Sequence, residues 1–147
     1  TRSLTELMDL FNTAYFAQAR HYYRLNWFEA EFEQTLGIDV YSYTFDTHQG
    51  YSRFSSAPYE ILILQLEMAN DLRERVVGEF VGVPGLQILH TNTSEAKSFA
   101  DVYKQFKQEL MVTPENLDTV YGSRYATHFY SADFIAQQRK RYAEPSG

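Results

Sequence analysis

Residues 99–142 read FADVYKQFKQELMVTPENLDTVYGSRYATHFYSADFIAQQRKRY. Phe99, Val102, Tyr103, Phe106 and Leu110 recur at three- and four-residue spacing, the apolar stripe of an amphipathic helix predicted from Glu95 to about Leu110, with Thr93 or Ser94 as its cap. Thr113-Pro114-Glu115 opens a second helix, with proline at the first helical position, where its missing N–H is no loss. Ser131-Ala132-Asp133 caps a third. Aromatic residues stand at nearly every joint between these elements.

Upstream, Leu4, Leu7, Met8, Phe11, Ala14, Tyr15, Ala19 and Tyr22 carry the same periodicity and predict one helix from Leu4 to Tyr23, capped by Ser3 or Thr5 with Glu6 in its first turn. Asn26 offers a cap for a short helix that places Trp27, Phe28, Phe32 and Leu36 on one side and stops at Gly37. The character then changes. Val40 to Phe45 alternates and is rich in strand formers, Asp46 to Gly50 is a turn cluster, and Tyr51 to Phe54 resumes the strand signal, so a hairpin or two extended arms around a loop are expected. After Pro58, Ile61-Leu62-Ile63-Leu64 is apolar on both faces, as a strand buried in a sheet is. Asn70 to Phe80 is helical again, with Leu72, Val76, Val77 and Phe80 inward, and Gly82, Pro84 and Gly85 break it. The expected architecture is α/β or α+β and helix-dominated, with few strands (about 40–45, 51–54 and 60–66) and five to six helices. Residues 1–147 read as a single domain or as the C-terminal part of a larger one.

Composition narrows the function classes. A chain of 147 residues can bury roughly 70 % of its unfolded surface without disulfide staples. Twelve tyrosines and eleven phenylalanines raise the aromatic share to 16 %, and tyrosine suits a surface that is half apolar and half wet, such as a cleft or an interface. There is no cysteine, hence no disulfide framework, thiolate metal site or cysteine nucleophile. The net charge of −6 argues against nucleic acid, which demands a basic face. The longest apolar run, Ile61 to Leu64, is too short to span a bilayer, and no secretory signal pattern opens the sequence, so a cytoplasmic location is expected. The chain starts at Thr1 and not at Met, as a processed protein or a fragment does.

Phosphate-cradling patterns are missing: there is no GxxxxGK[ST] and no GxGxxG between a strand and a helix, and Gly82-Val83-Pro84-Gly85 holds a proline and opens no helix. Neither GxSxG nor HExxH occurs. The histidines, at 21, 48, 90 and 128, have no helical ligand spacing, so no metal is expected. Each reactive residue has two readings. His128 is a proton-transfer group at a helix start, or a packed histidine bonded to backbone. His90, with Thr91, Asn92, Thr93 and Lys97, is a nest for an oxyanion or phosphate, or Thr93 only caps and Lys97 is solvated. His48 occupies an exposed turn, as an acceptor contact or as nothing more. His21 is a part-buried structural residue within reach of Glu29 or Glu31. Glu67 follows the apolar strand, where α/β folds gather functional groups; its plainer fate is to cap the next helix or pair with Arg73 or Arg75. Lys104 and Lys107 are the other cations, with Arg139, Lys140 and Arg141, which complement a helix C-terminus.

Several blocks, taken in order, carry a family likeness: Leu25-Asn26-Trp27-Phe28 with Glu31, Gly37-Ile38-Asp39-Val40-Tyr41, Phe45-Asp46, Gly50-Tyr51, Leu66-Glu67, Tyr103 to Lys107, Tyr121-Gly122-Ser123-Arg124-Tyr125 and His128-Phe129-Tyr130-Ser131. Across Leu4 to Tyr142 the chain resembles the capsular polysaccharide synthesis and sulfotransferase-like family. The resemblance implies the C-terminal half of a sulfotransferase-like P-loop fold. It also implies sulfuryl transfer from 3′-phosphoadenylyl sulfate, a co-substrate, to a hydroxyl acceptor that is a saccharide. Similar proteins carry a preceding α/β half with a phosphosulfate-binding loop and an Arg/Ser pair for the 3′-phosphate; neither is in this sequence, so inactivity in isolation is expected. Leu66-Glu67-Met68 also departs from the family's strand end, an acidic residue followed by Asp or Asn and Leu. In this frame Glu67, His48 and His128 are the candidates for acceptor-side proton transfer, and His90, Asn92 and Lys97 for nucleotide contact. The alternative is a non-catalytic, tyrosine-rich module that holds a partner chain or a second copy of itself.

Overall fold

The computed structural model describes residues 2–89 and 99–143. Among them the chain forms eight α-helices and one two-stranded antiparallel sheet. Helix α1 (Leu4–Leu10) starts as its sequence dictates: Ser3 Oγ accepts from the Glu6 N–H at 3.2 Å, and the Ser3 N–H donates to Glu6 Oε2 at 2.7 Å. It does not run on to Tyr23. A π-helical turn covers Phe11–Tyr15, the backbone turns left-handed at Ala19 (φ 54°), and α2 (Arg20–Leu25) begins afresh. The expectation of one helix fails at Ala17-Gln18-Ala19, an exposed segment with no large apolar group to hold the stripe together. Asn26 closes α2 instead of starting the next helix; its Nδ2 donates to the Tyr22 carbonyl at 2.9 Å. A second π-helical turn, Phe28–Glu33, leads into α3 (Gln34–Leu36), which Gly37 ends at φ 70°.

The strand expected at 40–45 is absent. Asp39 Oδ1 accepts from the Tyr41 N–H at 2.9 Å and folds Val40–Ser42 into a 3-10 turn, a local bond that outcompetes pairing. The turn cluster closes on Asp46, whose Oδ1 accepts from the N–H groups of His48 and Gln49, both at 3.0 Å. Strand β1 (Tyr51–Ser56) pairs antiparallel with β2 (Tyr59–Leu64), Tyr51 opposite Leu64 and Phe54 opposite Ile61. The apolar strand is therefore one arm of a hairpin and not the middle of a parallel sheet; only Ile61 is fully buried. Both of its faces are apolar because α4 (Asn70–Val81) packs on it and Ile63 packs on the aromatic core.

Further along the chain come α5 (Ala100–Glu109), α6 (Pro114–Tyr121), α7 (Arg124–Phe129) and α8 (Ala132–Ala143). The cap expected at Thr93 or Ser94 lies outside the described residues. Thr113 caps α6 with Pro114 in its first turn, Ser123 Oγ accepts from the Ala126 N–H at 3.1 Å, and Ser131 Oγ accepts from the Phe134 N–H at 3.2 Å. Helix α7 and the split between α1 and α2 raise the helix count above the expected five to six. Val40, Phe45 and Phe129 form the buried centre, ringed by Phe28, Phe32, Tyr41, Phe54, Tyr125 and Tyr130. Asn12 ties the first arm to the last helices: its Nδ2 donates to the Met111 carbonyl at 2.8 Å, and its Oδ1 accepts from the Thr113 N–H at 3.1 Å. Among the described residues no helix is long and apolar enough to cross a membrane.

Candidate functional site

The end of β2 is pinned to the end of α7. The Gln65 N–H donates to the Gly50 carbonyl at 2.7 Å, and its Nε2 donates to the Phe129 carbonyl at 2.6 Å. The following turn is held by Arg73, whose Nη2 donates to the carbonyls of Leu66 and Met68. This turn presents Glu67 to Tyr130: the phenol donates to Glu67 Oε2 at 3.0 Å, with Oε1 at 3.3 Å. Neither of the plainer fates foreseen for Glu67 holds, because Arg73 serves the turn and Arg75 pairs with Glu79 at 3.5 Å. The Tyr130 ring is stacked on Phe134, 4.8 Å away and 18° from parallel. Burial, then the neighbouring Tyr125 and Glu67, push the Tyr130 phenol far above its ordinary range, so it stays protonated and remains a donor. Phe28, Phe45, Gln65, Tyr125, Phe129 and Tyr130 wall a cavity of about 130 Å³ beside this pair. The arrangement offers a carboxylate oriented by a phenol at the edge of an apolar-walled pocket, which is the equipment for holding a hydroxyl and taking its proton.

On another side of α7, Arg124 reaches Asp39 at 3.7 Å and Glu29 at 3.9 Å, with its guanidinium 4.1 Å above the Tyr41 ring. The Tyr41 hydroxyl and Glu29 Oε2 are buried there without a hydrogen-bond partner among the described residues. His128 sets its ring edge-on against Tyr41 (5.1 Å) and Phe129 (4.8 Å). Burial, then the Arg124 charge, lower its pKa, while a hydrogen bond with the Tyr43 backbone and the nearby Asp39 act the other way. His128 thus takes the packed, backbone-bonded environment that the sequence offered as its plainer fate.

The other nominated residues do not gather here. His48 sits in the exposed Asp46–Gly50 turn, and among the described residues no hydrogen bond, ion pair or ring contact joins it to Glu67 or His128. His90, Asn92 and Lys97 lie outside the described residues. His21 packs on Phe16 (4.9 Å) and not on Glu29 or Glu31. The hollow at Gly82–Gly85 is faced by Glu74 and Glu79, and its one arginine, Arg75, is already paired with Glu79, so it offers phosphate no unpaired cation. Tyr130, Tyr125, Tyr41 and Arg124 escaped nomination; their signal was the tyrosine load together with the Tyr121-Gly122-Ser123-Arg124-Tyr125 block.

A sequence profile of the NKWYS family, described as "putative capsular polysaccharide synthesis protein", matches residues 6–131. The chain belongs to that family. The matched span of the capsular polysaccharide synthesis family runs from α1 through α7 and includes Glu67 and Tyr130, and it stops where α8 begins. No curated protein and no solved structure matches the chain.

Proposed function

We propose that this protein serves the acceptor side of sulfuryl transfer from 3′-phosphoadenylyl sulfate to a saccharide hydroxyl in capsular polysaccharide synthesis. The family membership supports the saccharide. The observation that carries the reading is the hydrogen bond from Tyr130 to Glu67 beside the aromatic-walled cavity. Glu67 is the group that takes the acceptor's proton as its oxygen forms a bond to sulfur, while the bond from sulfur to the phosphate oxygen of the co-substrate breaks. Tyr130 orients the carboxylate. The cations that hold the co-substrate's phosphates come from residues 90–98, where His90, Asn92 and Lys97 stand, or from a companion α/β half. His128 supports the aromatic wall.

The test is transfer of radiolabelled sulfate to bacterial polysaccharide by the chain, alone and with a nucleotide-binding α/β partner supplied. Glu67→Gln is expected to lower the rate by about 10²- to 10⁴-fold, the usual worth of a positioned base, with the saccharide KM little changed. Absence of labelled saccharide with the unaltered protein overturns the proposal. The isolated chain is expected to bind 3′-phosphoadenosine 5′-phosphate weakly or not at all, so micromolar binding by calorimetry would place the nucleotide site within these residues.

One observation favours the interaction-module alternative: an apolar groove of about 580 Å³ between α1 and α5, lined by Leu10, Phe11, Phe99, Val102 and Phe106. Light scattering decides it. A stable oligomer that buries this groove favours the module, and a monomer favours the enzyme.

A further inference from the structure

We infer that the trough framed by Tyr23, Arg24, Trp27 and Tyr125 is a second saccharide subsite, so that the acceptor is an acidic oligosaccharide and not a single sugar. This rests on the saccharide reading of the Glu67–Tyr130 site and extends it. Tyr23 and Trp27, four residues apart, are 57 % and 40 % exposed, a cost in water that a ligand would relieve. They border an open cavity of about 580 Å³ whose walls also include Arg24, Phe28 and Tyr125. Trp27 is held in place by Phe28 (5.2 Å, 76°) and Phe32 (6.0 Å, 49°), so stacking on it costs little ordering of the protein.

The decisive relationship is continuity. Phe28 and Tyr125 wall both this trough and the small cavity beside Tyr130. A ligand lying on Trp27 that extends past Tyr125 therefore meets the cavity walled by Tyr130, the partner of Glu67. A chain of pyranose rings has the right form: each ring offers a flat C–H face to an aromatic face and keeps its hydroxyls at the wet rim. Arg24 sets the charge of that ligand. It makes no ion pair with any described residue and stands at the rim, where a sugar carboxylate would neutralise it.

Trp27 is the only tryptophan in the chain, so its emission reports occupancy of the trough without any turnover. The probes are a hyaluronan hexasaccharide, glucuronic acid and the neutral cellohexaose, each titrated by fluorescence and by calorimetry. The expected result is a saturable change in Trp27 emission with the acidic hexasaccharide, at an affinity at least about tenfold tighter than for the monomer. Tyr23→Ala is expected to weaken the hexasaccharide about tenfold, the loss of one stacking partner, with an unchanged melting temperature as the control for folding. Arg24→Gln is expected to remove the preference over cellohexaose. If the hexasaccharide binds and Tyr130→Phe weakens it while Trp27 emission stays constant, the trough is overturned and the Glu67 site stands. If no saccharide binds, both fall. Equal binding of cellohexaose overturns the acidic assignment.

Discussion

Tyr130 donates its phenolic proton to Glu67 at 3.0 Å across 63 positions of sequence, joining the turn after β2 to the end of α7. Tyr130→Phe keeps the ring and its stack on Phe134 but removes the donor. Because Glu67 is exposed, the stability loss is expected to stay below about 1 kcal/mol in urea unfolding. The kcat for the proposed sulfate transfer is expected to fall about tenfold while KM holds, and its pH profile to move, as the proposed role of positioning the base requires.

Four phenols are held above their ordinary range, burial being the first cause for each: Tyr41, Tyr121 (pushed up to about 12), Tyr125 and Tyr130. The unfolded chain releases these protons near pH ~10, and the folded chain does not. Their contribution to stability is therefore fully present below pH ~10 and is lost as pH rises toward the folded values. Near-ultraviolet tyrosinate absorbance should show a delayed phase that coincides with unfolding. A single phase, complete while the circular dichroism remains native, would contradict this.

His128 titrates the other way. Its folded pKa is depressed, so its contribution is present above the unfolded pKa of about 6.5 and is lost as pH falls through the folded value. The imidazole C–H resonance should titrate with a midpoint below that of a free histidine. The drop in melting temperature on acidification from neutral pH should shrink in His128→Gln. A midpoint at or above the free value would refute the assignment.

Phe129 is 4 % exposed and touches Phe28, Phe45, Tyr41 and Tyr125. Phe129→Ala is expected to cost about 3–5 kcal/mol, from lost burial and the cavity left among rings that cannot close in. Phe129→Leu should cost less than half as much in the same denaturant measurement.

Asn12 uses both ends of its amide. Removing them in Asn12→Ala leaves the Thr113 N–H and the Met111 carbonyl to solvent and takes from Asn116 Nδ2 its 3.3 Å contact with Asn12 Oδ1, while its 2.9 Å bond to the Asn12 backbone carbonyl remains. Because both bonds are exposed, a loss of roughly 0.5–1.5 kcal/mol is expected. Asn12→Asp should not restore it, because a carboxylate cannot donate to the Met111 carbonyl. Hydrogen exchange at Thr113 would report the change.

Helices with a clear stripe and a polar cap were legible in the sequence: Ser3, one of the two caps it offered, and Thr113 and Ser131 cap their helices, and Gly37 and Gly82 stop theirs in the left-handed region. The single opening helix failed for want of an apolar group at Ala17-Gln18-Ala19, and the other failures turned on a competing local bond or a distant partner. Asp39 captured the Tyr41 amide and cancelled a strand that alternation alone supported. The partner of β1 lay after it and not before it, because Ala57-Pro58 makes the tighter connection. In the candidate site, Glu67 was nominated from its place after an apolar strand. Its partner Tyr130 was not, because a 63-residue separation leaves no local trace. His48, chosen for its chemistry, remained alone in a turn held by Asp46.

Ala19 marks a division of labour. Everything before it docks on α5 and α6 through α1, the first π-helical turn and Asn12, whereas every wall of the two adjoining cavities comes from residues after it. The opening segment is thus a brace for the far end of the polypeptide, and mutational drift there should be felt as thermal fragility long before it is felt as a change in what those two cavities hold.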